Sequence, residues 1–265
     1  MNPTISYIES LACQAGELLR NGFGGRMQVD RKGVIDLVTE MDHRSEELIL
    51  GRIQADFPDH SIISEESGSL KNAGNQQWII DPLDGTVNYA HGVPIYSVSI
   101  AYAEDGIVQI GVVYDPMQDE CYSAQRGNGA KLNGQLISPS KTPDMNSSLL
   151  VTGFPYDIRT HPENNLDLYA RFTLLSRGVR RFGSAALDLC YVAAGRVDGY
   201  WEIRIKLWDI AAGALIVQEA GAAVTKVYGD PDYLTPPYSI LAANPNIYSE
   251  MKEVFNQYRL EKNLA

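Results

Sequence analysis

The fold of this chain is decided by one stretch, Trp78-Ile79-Ile80-Asp81-Pro82-Leu83-Asp84-Gly85-Thr86-Val87-Asn88-Tyr89. Its apolar start, residues 78–80, predicts a short buried strand. We expect that strand to end at Asp81, because Pro82 has no backbone N–H to donate to a neighbouring strand. Gly85 then allows the chain to turn sharply.

The turn that follows the strand is rich in oxygen atoms. Asp81 and Asp84 supply two carboxylates, and Thr86 and Asn88 add a hydroxyl and an amide. Oxygen ligands on a short, stiff turn suit a hard divalent cation such as Mg²⁺. Asp-Pro and Asp-Gly pairs are also common in solvated turns that bind nothing, so the rest of the chain must decide between the two interpretations.

Composition excludes some classes of function. The chain has 265 residues, enough for one large domain or two small ones, and its formal net charge is −11. Its densest basic segment, residues 177–181, is interrupted by Gly178 and Val179. We therefore expect no direct binding to nucleic acid.

The cysteines and the apolar segments predict a cytoplasmic protein. Cys13, Cys121 and Cys190 are odd in number and far apart, so they form neither a disulfide framework nor a zinc motif. That usage suits a reducing compartment. The N-terminus lacks the pattern of a signal peptide, and no apolar run reaches the ~18 residues that a membrane helix needs.

Apolar spacing predicts a layered protein of helices packed on sheets. Predicted helices cover residues 4–21, 41–57, 165–176, 185–194, 210–220 and 246–259. Predicted strands cover residues 34–39, 61–65, 78–80, 98–102, 107–114, 121–124, 130–132, 149–152, 179–182, 197–202, 223–227 and 240–243. The hairpin signal Asp105-Gly106 makes the first sheet antiparallel. Helices and strands alternate later, which favours α/β or α+β packing.

A polar link predicts the domain boundary. Residues 138–148 contain Pro139 and Pro143 and separate the antiparallel half from the alternating half. We expect an N-terminal α+β subdomain, residues 1–143, with most metal ligands. A C-terminal α/β subdomain, residues 144–265, would supply the substrate contacts and the last metal ligand.

Acidic residues recur where ligand sites are common in layered proteins. Glu65, Asp81 and Glu202 each fall at the C-terminal end of a predicted strand. Asp209 comes directly before the predicted helix 210–220. Simpler explanations remain open at this point: Asp209 and Ser184 have the position of N-caps, and Asp42 has that of a first-turn acid.

Taken together, the motifs resemble the inositol monophosphatase family. They are Glu65-Glu66-Ser67-Gly68, Asp81-Pro82-Leu83-Asp84-Gly85-Thr86-Val87-Asn88, Gly183-Ser184-Ala185-Ala186 and Trp208-Asp209, in this order over nearly the whole chain. The resemblance implies a Mg²⁺-dependent, Li⁺-sensitive phosphomonoesterase, related to fructose-1,6-bisphosphatases. It also implies an α+β fold, a layered αβαβα sandwich of mixed and antiparallel sheets with helices between and outside them.

The resemblance implies a role for each matching residue. The metal ligands would be Glu65, Asp81, the carbonyl of Leu83, Asp84 and Asp209, holding two or three Mg²⁺ ions per site. The catalytic residues that orient and deprotonate water would be Thr86 and Asp42, with Glu65 nearby. The substrate contacts would be Asp84, the backbone of Gly85 and Thr86, Gly183, Ser184, Ala185, Glu202 and Asp209.

The chemistry of such a ligand set is coherent without the family name. A phosphate monoester carries two negative charges that repel an attacking hydroxide. Two cations ~3.5–4 Å apart neutralise that charge, lower the pKa of water and stabilise the leaving alkoxide. No Cys or His lies in these motifs as a nucleophile, so we expect attack by metal-activated water without a phosphoenzyme.

Some positions depart from the family pattern. Val87, Tyr89 and Ser64 stand where Thr, Phe and Gly are frequent in the family, and none of them removes a metal ligand. The segment Arg31-Lys32-Gly33 has the basic, flexible character of the family's mobile loop, which would help to recruit a third metal. Asp188 is interpreted as a helix residue of structural use.

The expected substrate is a small phosphorylated polyol, myo-inositol monophosphate above all. Glu202 favours a polyol. Alternatives within the enzyme class are fructose-1,6-bisphosphatase, a dual-specificity enzyme, 3′-phosphoadenosine 5′-phosphate phosphatase and histidinol-phosphate phosphatase. From a different class, the resemblance allows a binding partner of the transcription machinery. It also suggests a homodimer.

Overall fold

The computed structural model describes residues 2–25, 29–31, 37–72 and 74–262. Within them the helices are α1 Ile5–Gly22, α2 Glu40–Asp56, α3 Thr86–Ala90, α4 Leu166–Leu175, α5 Ala185–Ala193, α6 Leu207–Ala220 and α7 Tyr248–Lys262. The strands are β1 Val29–Arg31, β2 Leu37–Thr39, β3 Ser61–Ser64, β4 Gly68–Leu70, β5 Gln76–Asp84, β6 Ser97–Glu104, β7 Ile107–Asp115, β8 Glu120–Gln125, β9 Ala130–Leu132, β10 Gln135–Leu136, β11 Leu149–Thr152, β12 Gly178–Arg180, β13 Gly199–Ile203, β14 Ala223–Thr225 and β15 Ser239–Ala243.

Two sheets and three helix layers alternate. The larger sheet has the strand order β10-β9-β8-β7-β6-β5-β3-β4, and only β3 and β5 pair in parallel. The smaller sheet has the order β12-β11-β13-β15-β14, with parallel pairing on both sides of β11. Buried side chains of α5 and α6 fill the space between the two sheets.

The outer helices complete the sandwich. Ile8, Leu11 and Leu19 of α1 pack with Ile49 and Ile53 of α2 on the outer face of the larger sheet. On the outer face of the smaller sheet, side chains of α4 and α7 form a third cluster around Trp201. The predicted αβαβα fold with mixed sheets is therefore confirmed. The division into residues 1–143 and 144–265 stays a prediction.

The prediction that the central strand ends at Asp81 is wrong, because β5 continues to Asp84. Its pairing with β6 is irregular between Asp81 and Asp84, where Pro82 has no N–H to donate. The strand crosses the proline as a bulge, and Ser45 Oγ donates to the Pro82 carbonyl at 2.7 Å. A bulge changes the direction of the side chains that follow it, here at the edge where the acids lie.

The prediction that Asp209 precedes its helix is also wrong. Helix α6 begins at Leu207, so Asp209 is its third residue, and Asp209 Oδ2 accepts a hydrogen bond from the Lys206 backbone N–H at 3.0 Å. The apolar pattern begins only at residue 210, which is why the sequence placed the start too late. Asp209 thus caps the first turn from within the helix.

Most other predicted elements lie within a few residues of those observed. The short strands β1, β4 and β10 and helix α3 were missed, because each is too short for a periodic pattern. Of the predicted strand at residues 34–39, only Leu37–Thr39 is described. Lys32 and Gly33 of the expected mobile loop lie outside the described residues. No described helix has the length and apolar character needed to cross a membrane.

Candidate active site

A cavity of about 350 Å³ opens where the two sheets meet the first turns of α5 and α6. Of the predicted site residues, it is lined by Glu65, Asp81, Leu83, Asp84, Gly85, Thr86, Gly183, Ser184, Ala185, Glu202 and Asp209. Asp42 does not line the cavity, but its Oδ1 lies 2.8 Å from the hydroxyl oxygen of Thr86, which does. The structure therefore brings the predicted residues together, while their roles stay predictions.

Thr86 and Asp42 form a hydrogen-bonded pair at one side of the cavity. Thr86 Oγ1 lies 2.8 Å from Asp42 Oδ1 and 3.0 Å from the Leu83 carbonyl oxygen. A hydroxyl has one proton, so it donates to one of these acceptors at a time and keeps lone pairs for another donor. Asp42 is buried, and its Oδ2 accepts from the backbone N–H and the hydroxyl of Thr39, both at 2.7 Å.

The first turn of α5 holds Asp84 in place. Asp84 Oδ2 accepts from Ser184 Oγ at 2.6 Å and from the Ala186 backbone N–H at 2.8 Å. Ser184 Oγ also lies 3.4 Å from the backbone N–H of Leu187, so the residue caps its helix and orients the acid at once. These hydrogen bonds connect the segment Gly183-Ser184 to the bulged strand β5, which carries Asp84.

Gly85 is required by the backbone at the turn. Its φ is +99°, a conformation that residues with a Cβ rarely adopt. A Cβ there would also lie 3.0 Å from the Ile95 carbonyl oxygen and 3.2 Å from that of Gly183. The glycine lets β5 turn into α3 and places Thr86 beside the acids.

The acids of the cavity repel one another. Burial raises the pKa of Asp81 well above its ordinary value, and the charges of Glu65, Asp84 and Asp209 raise it further. Burial likewise raises the pKa of Asp209, with further contributions from Asp84 and Glu65. The negative charges of these acids therefore act on one another across the cavity.

The donor set fits a hard divalent cation. The acids and the Leu83 carbonyl offer only oxygen, with no sulfur or imidazole, as Mg²⁺ prefers. Among the described residues, no three His, Cys, Asp or Glu side chains stand close enough together to form a closed ligand cluster. A divalent cation bound by these oxygens would offset the repulsion between their like charges.

The opposite end of the cavity is built around Glu202. Its Oε2 accepts from the Tyr200 hydroxyl at 2.7 Å, and burial raises its pKa to about 7. A Cβ on Gly153 would lie 1.9 Å from the same Oε2, so the absence of a side chain there makes room for the carboxyl group. The Tyr200 hydroxyl and the space left by Gly153 thus hold Glu202 in a defined position.

Sequence reasoning missed several residues of the cavity wall. They are Asp188 from α5, the segment Gly153-Phe154-Pro155-Tyr156, Arg181, and Arg204 with Lys206. Asp188 could have been found, since it lies four residues after Ser184 and therefore on the same face of the helix. The segment at residues 153–156 carried no signal, because its place depends on the packing of β11 beside β13.

Comparison with known proteins gives a consistent result. A sequence model described as the inositol monophosphatase family matches residues 1–263. The Nus factor SuhB of Pasteurella multocida is 44% identical over 97% of this chain and 96% of that protein.

Solved structures agree with the sequence comparisons. An inositol monophosphatase from Anabaena (Nostoc) superposes with a TM-score of 0.86 at 42% identity, covering 96% of this chain and 95% of that one. The extragenic suppressor protein suhB from Bartonella henselae has a TM-score of 0.89 at 35% identity, covering 95% of this chain and 98% of that one.

Proposed function

The chain belongs to the inositol monophosphatase family, and we propose that it is a Mg²⁺-dependent phosphatase whose substrate is myo-inositol monophosphate. The observation that carries the proposal is the cavity itself. Four acids, the buried Asp81 and Asp84 and the partly buried Glu65 and Asp209, line it together with Thr86, whose hydroxyl is hydrogen-bonded to Asp42. This is an arrangement for binding cations next to a group that can accept a proton.

The acids would bind the metal ions, and the phosphate group of the substrate would bind next to those ions. Glu65, Asp81, the Leu83 carbonyl, Asp84 and Asp209 would hold two or three Mg²⁺ ions. When bound, the ions would neutralise the charge of the phosphate and lower the pKa of water. The backbone N–H groups of Gly85 and Thr86 would contact the phosphate oxygens.

Thr86 and Asp42 would accept the proton of the attacking water. Thr86 Oγ1 lies within 2.8 Å of Asp42 Oδ1, so a proton taken by the hydroxyl can pass to the carboxylate. Burial raises the pKa of Asp42, which makes that carboxylate a better proton acceptor. The hydroxyl group of the product would leave toward Glu202, Gly183, Ser184 and Ala185.

The substrate preference is tested by phosphate release. Inositol 1-phosphate, fructose 1,6-bisphosphate and 3′-phosphoadenosine 5′-phosphate are compared with and without Mg²⁺, using the wild type and Asp84→Asn. We expect Mg²⁺-dependent turnover that prefers inositol 1-phosphate and is lost in Asp84→Asn. A preference for fructose 1,6-bisphosphate would instead favour the bisphosphatase or dual-specificity alternative. No turnover of any ester by folded protein would contradict the enzyme assignment.

A second candidate function is that of a binding partner of the transcription machinery. The names of the Pasteurella multocida and Bartonella henselae relatives, Nus factor SuhB and suhB, favour it. The two functions are separable, since a partner role needs a surface rather than the metal ligands. A pull-down from lysate with Asp84→Asn is the test: capture of transcription proteins that survives the substitution would support a partner role independent of metal.

Further properties follow from family membership. We propose that the protein is a cytoplasmic homodimer and that Li⁺ inhibits it. Light scattering after size exclusion would measure the mass of the assembly, and titration of Li⁺ against Mg²⁺-dependent turnover would measure inhibition. A monomer, or turnover indifferent to Li⁺, would contradict the corresponding part of the proposal.

A further inference from the structure

Asp188 is a buried acid that the proposed chemistry leaves unused. Only 1% of its surface is exposed, and it lines the cavity. Its Oδ1 has no hydrogen-bond partner within the described residues. A buried carboxyl oxygen without a partner is costly and uncommon in folded proteins. Such an atom in the wall of a cavity points to a donor that the ligand supplies.

The position of Asp188 follows from the helix that anchors the metal site. Its backbone N–H donates to the Ser184 carbonyl at 2.9 Å, in the first turn of α5. Ser184 in turn donates to Asp84 Oδ2 through its hydroxyl. The same turn therefore holds Asp84 and carries Asp188, and both acids line the cavity.

Asp188 and Glu202 both line the cavity. Burial raises the pKa of Asp188 well above its ordinary value, and the charges of Asp84 and Glu202 raise it further. The two acids differ in one respect: Glu202 Oε2 accepts from the Tyr200 hydroxyl, whereas Asp188 Oδ1 accepts from nothing described. The protein therefore orients Glu202, whereas Asp188 Oδ1 is left to accept a hydrogen bond from a ligand.

Structural explanations of Asp188 leave that oxygen unexplained. An acid in the first turn of a helix gains from the helix dipole, but this gain needs no burial. Arg181 is the basic residue whose charge lowers the pKa of Asp188, and its guanidinium lies over the Phe154 ring, 5.2 Å from the centroid. Neither contact donates a hydrogen bond to Asp188 Oδ1.

We propose that Asp188 is a second hydroxyl-binding carboxyl group and that, with Glu202, it selects phosphate esters whose alcohol part has at least two free hydroxyl groups. The inference rests on the proposed function and adds a specificity residue to it. A substrate hydroxyl that donates to Oδ1 removes the cost of the unpaired oxygen. An ester without such a hydroxyl leaves Oδ1 unpaired. Its binding is therefore less favourable, and the site discriminates against it.

The test compares two esters. kcat/KM is measured for inositol 1-phosphate, which has several hydroxyl groups, and for p-nitrophenyl phosphate, which has none. In Asp188→Ala the ratio of the two values should fall at least about tenfold, mainly through a higher KM for inositol 1-phosphate. In Asp188→Asn the ratio should stay within about threefold of the wild type, because the amide oxygen still accepts a hydrogen bond.

Asp115 is the matched control. It is also a fully buried acid, but it does not line the cavity and both of its oxygens have partners. Oδ1 accepts from the backbone N–H groups of Met117 and Gln118, and Oδ2 accepts from the side-chain amide of Gln118. Asp115→Ala should lower the unfolding temperature and leave the ratio of the two esters unchanged. Should Asp188→Ala prove unstable, Asp188→Leu takes its place, since leucine fills a similar volume and accepts no hydrogen bond.

Two results would overturn the inference in different ways. An unchanged ratio in Asp188→Ala, whether from equal losses on both esters or from no loss, would assign Asp188 a structural role and leave the proposed function standing. A wild type that hydrolyses p-nitrophenyl phosphate but not inositol 1-phosphate or fructose 1,6-bisphosphate would contradict the proposed function, and the hydroxyl role of Asp188 with it.

Discussion

At the scale of single residues, the hydroxyl of Thr86 is the group whose chemistry is most specific. It belongs to a cavity-lining residue and lies 2.8 Å from Asp42 Oδ1 and 3.0 Å from the Leu83 carbonyl oxygen. If Thr86 passes a proton from water to Asp42, its loss should lower kcat and leave substrate binding nearly intact.

Thr86→Val and Thr86→Ser test this role. Valine has the shape of threonine without the hydroxyl, so kcat should fall by about 10²–10³-fold, the range for loss of general base catalysis. Serine keeps the hydroxyl and should retain kcat within roughly tenfold. The measurement is steady-state phosphate release at saturating Mg²⁺. Equal activity of the valine variant and the wild type would remove Thr86 from the proton path.

The single residues were also those best predicted from sequence. Glu65, Asp81, Asp84 and Asp209 were chosen by their order along the chain, and all four line one cavity. Asp188 was interpreted as structural, because an acid at the fourth residue of an apolar helix looks like any first-turn acid. Which buried oxygen lacks a partner depends on tertiary contacts, and no local pattern reports it.

At the scale of elements, the contact between β7 and α6 fixes the central layers. Gly111 of β7 faces the backbone of α6, where a Cβ would lie 2.7 Å from the Ala212 carbonyl oxygen and 3.0 Å from its Cα. Backbone atoms of a helix cannot move aside as a side chain can. The close approach brings the first turn of α6, and Asp209 with it, toward the acids on β5.

Gly111→Ala should therefore destabilise the protein. We expect a loss of about 1–3 kcal/mol in the free energy of unfolding, the usual cost of overpacking, measured by urea denaturation. Gly51 in α2 is the matched control, because it is exposed and a Cβ there would meet nothing within 4 Å. Gly51→Ala should stabilise by about 0.5–1 kcal/mol through helix propensity. The reverse order of stabilities would contradict this account of the layer contact.

Element boundaries show where sequence patterns lose their power. Hydrophobic periodicity located the long helices and strands, because the core selects those side chains directly. It failed at Pro82, where a bulge carries the strand past a residue that usually ends one, and at Leu207, where α6 begins before its apolar stripe. Both errors lie at the cavity, where the backbone geometry positions the acids and does not follow the packing of apolar side chains.

At the scale of the whole molecule, the buried acids couple stability to pH and to metal. Burial raises the pKa values of Asp81, Asp84, Asp209 and Glu202 in the folded protein, the last to about 7. The charges of neighbouring acids raise the pKa values of Asp81, Asp209 and Glu202 further. The folded state then holds more protons than the unfolded state. Such groups stabilise most below their unfolded pKa, and that contribution is lost as pH rises through the folded pKa.

Metal-free protein should therefore unfold at a lower temperature at pH 7.5 than at pH 5.5, by about 5 °C. Mg²⁺ at pH 7.5 should restore the difference, since it binds the folded state. Asp81→Asn should be more stable than the wild type without Mg²⁺ at pH 7.5, and should gain less from Mg²⁺. Differential scanning calorimetry with a chelator gives these values. A wild type with equal stability at both pH values would show that the acids do not repel as described.

The layered fold was predictable as a whole because it rests on a long match of ordered motifs. The αβαβα order is confirmed, whereas the division at residue 143 remains untested. The alcohol part of the substrate would contact side chains that come from β13, from α5 and from the segment after β11. These segments are far apart in the sequence, so their contact was not predictable from it. Only their packing shows that Gly153 leaves room for Glu202.

The measurement that tests the central claim most directly is phosphate release from inositol 1-phosphate as Mg²⁺ is titrated. It is made at pH 7.5 with the wild type, Asp81→Asn and the buried control Asp115→Asn. The account predicts saturable, Mg²⁺-dependent release by the wild type and the control, and a loss of at least about 10²-fold in Asp81→Asn. Release by Asp81→Asn at the wild-type rate, or release by the wild type that ignores Mg²⁺, would contradict a metal-dependent phosphatase built on these acids.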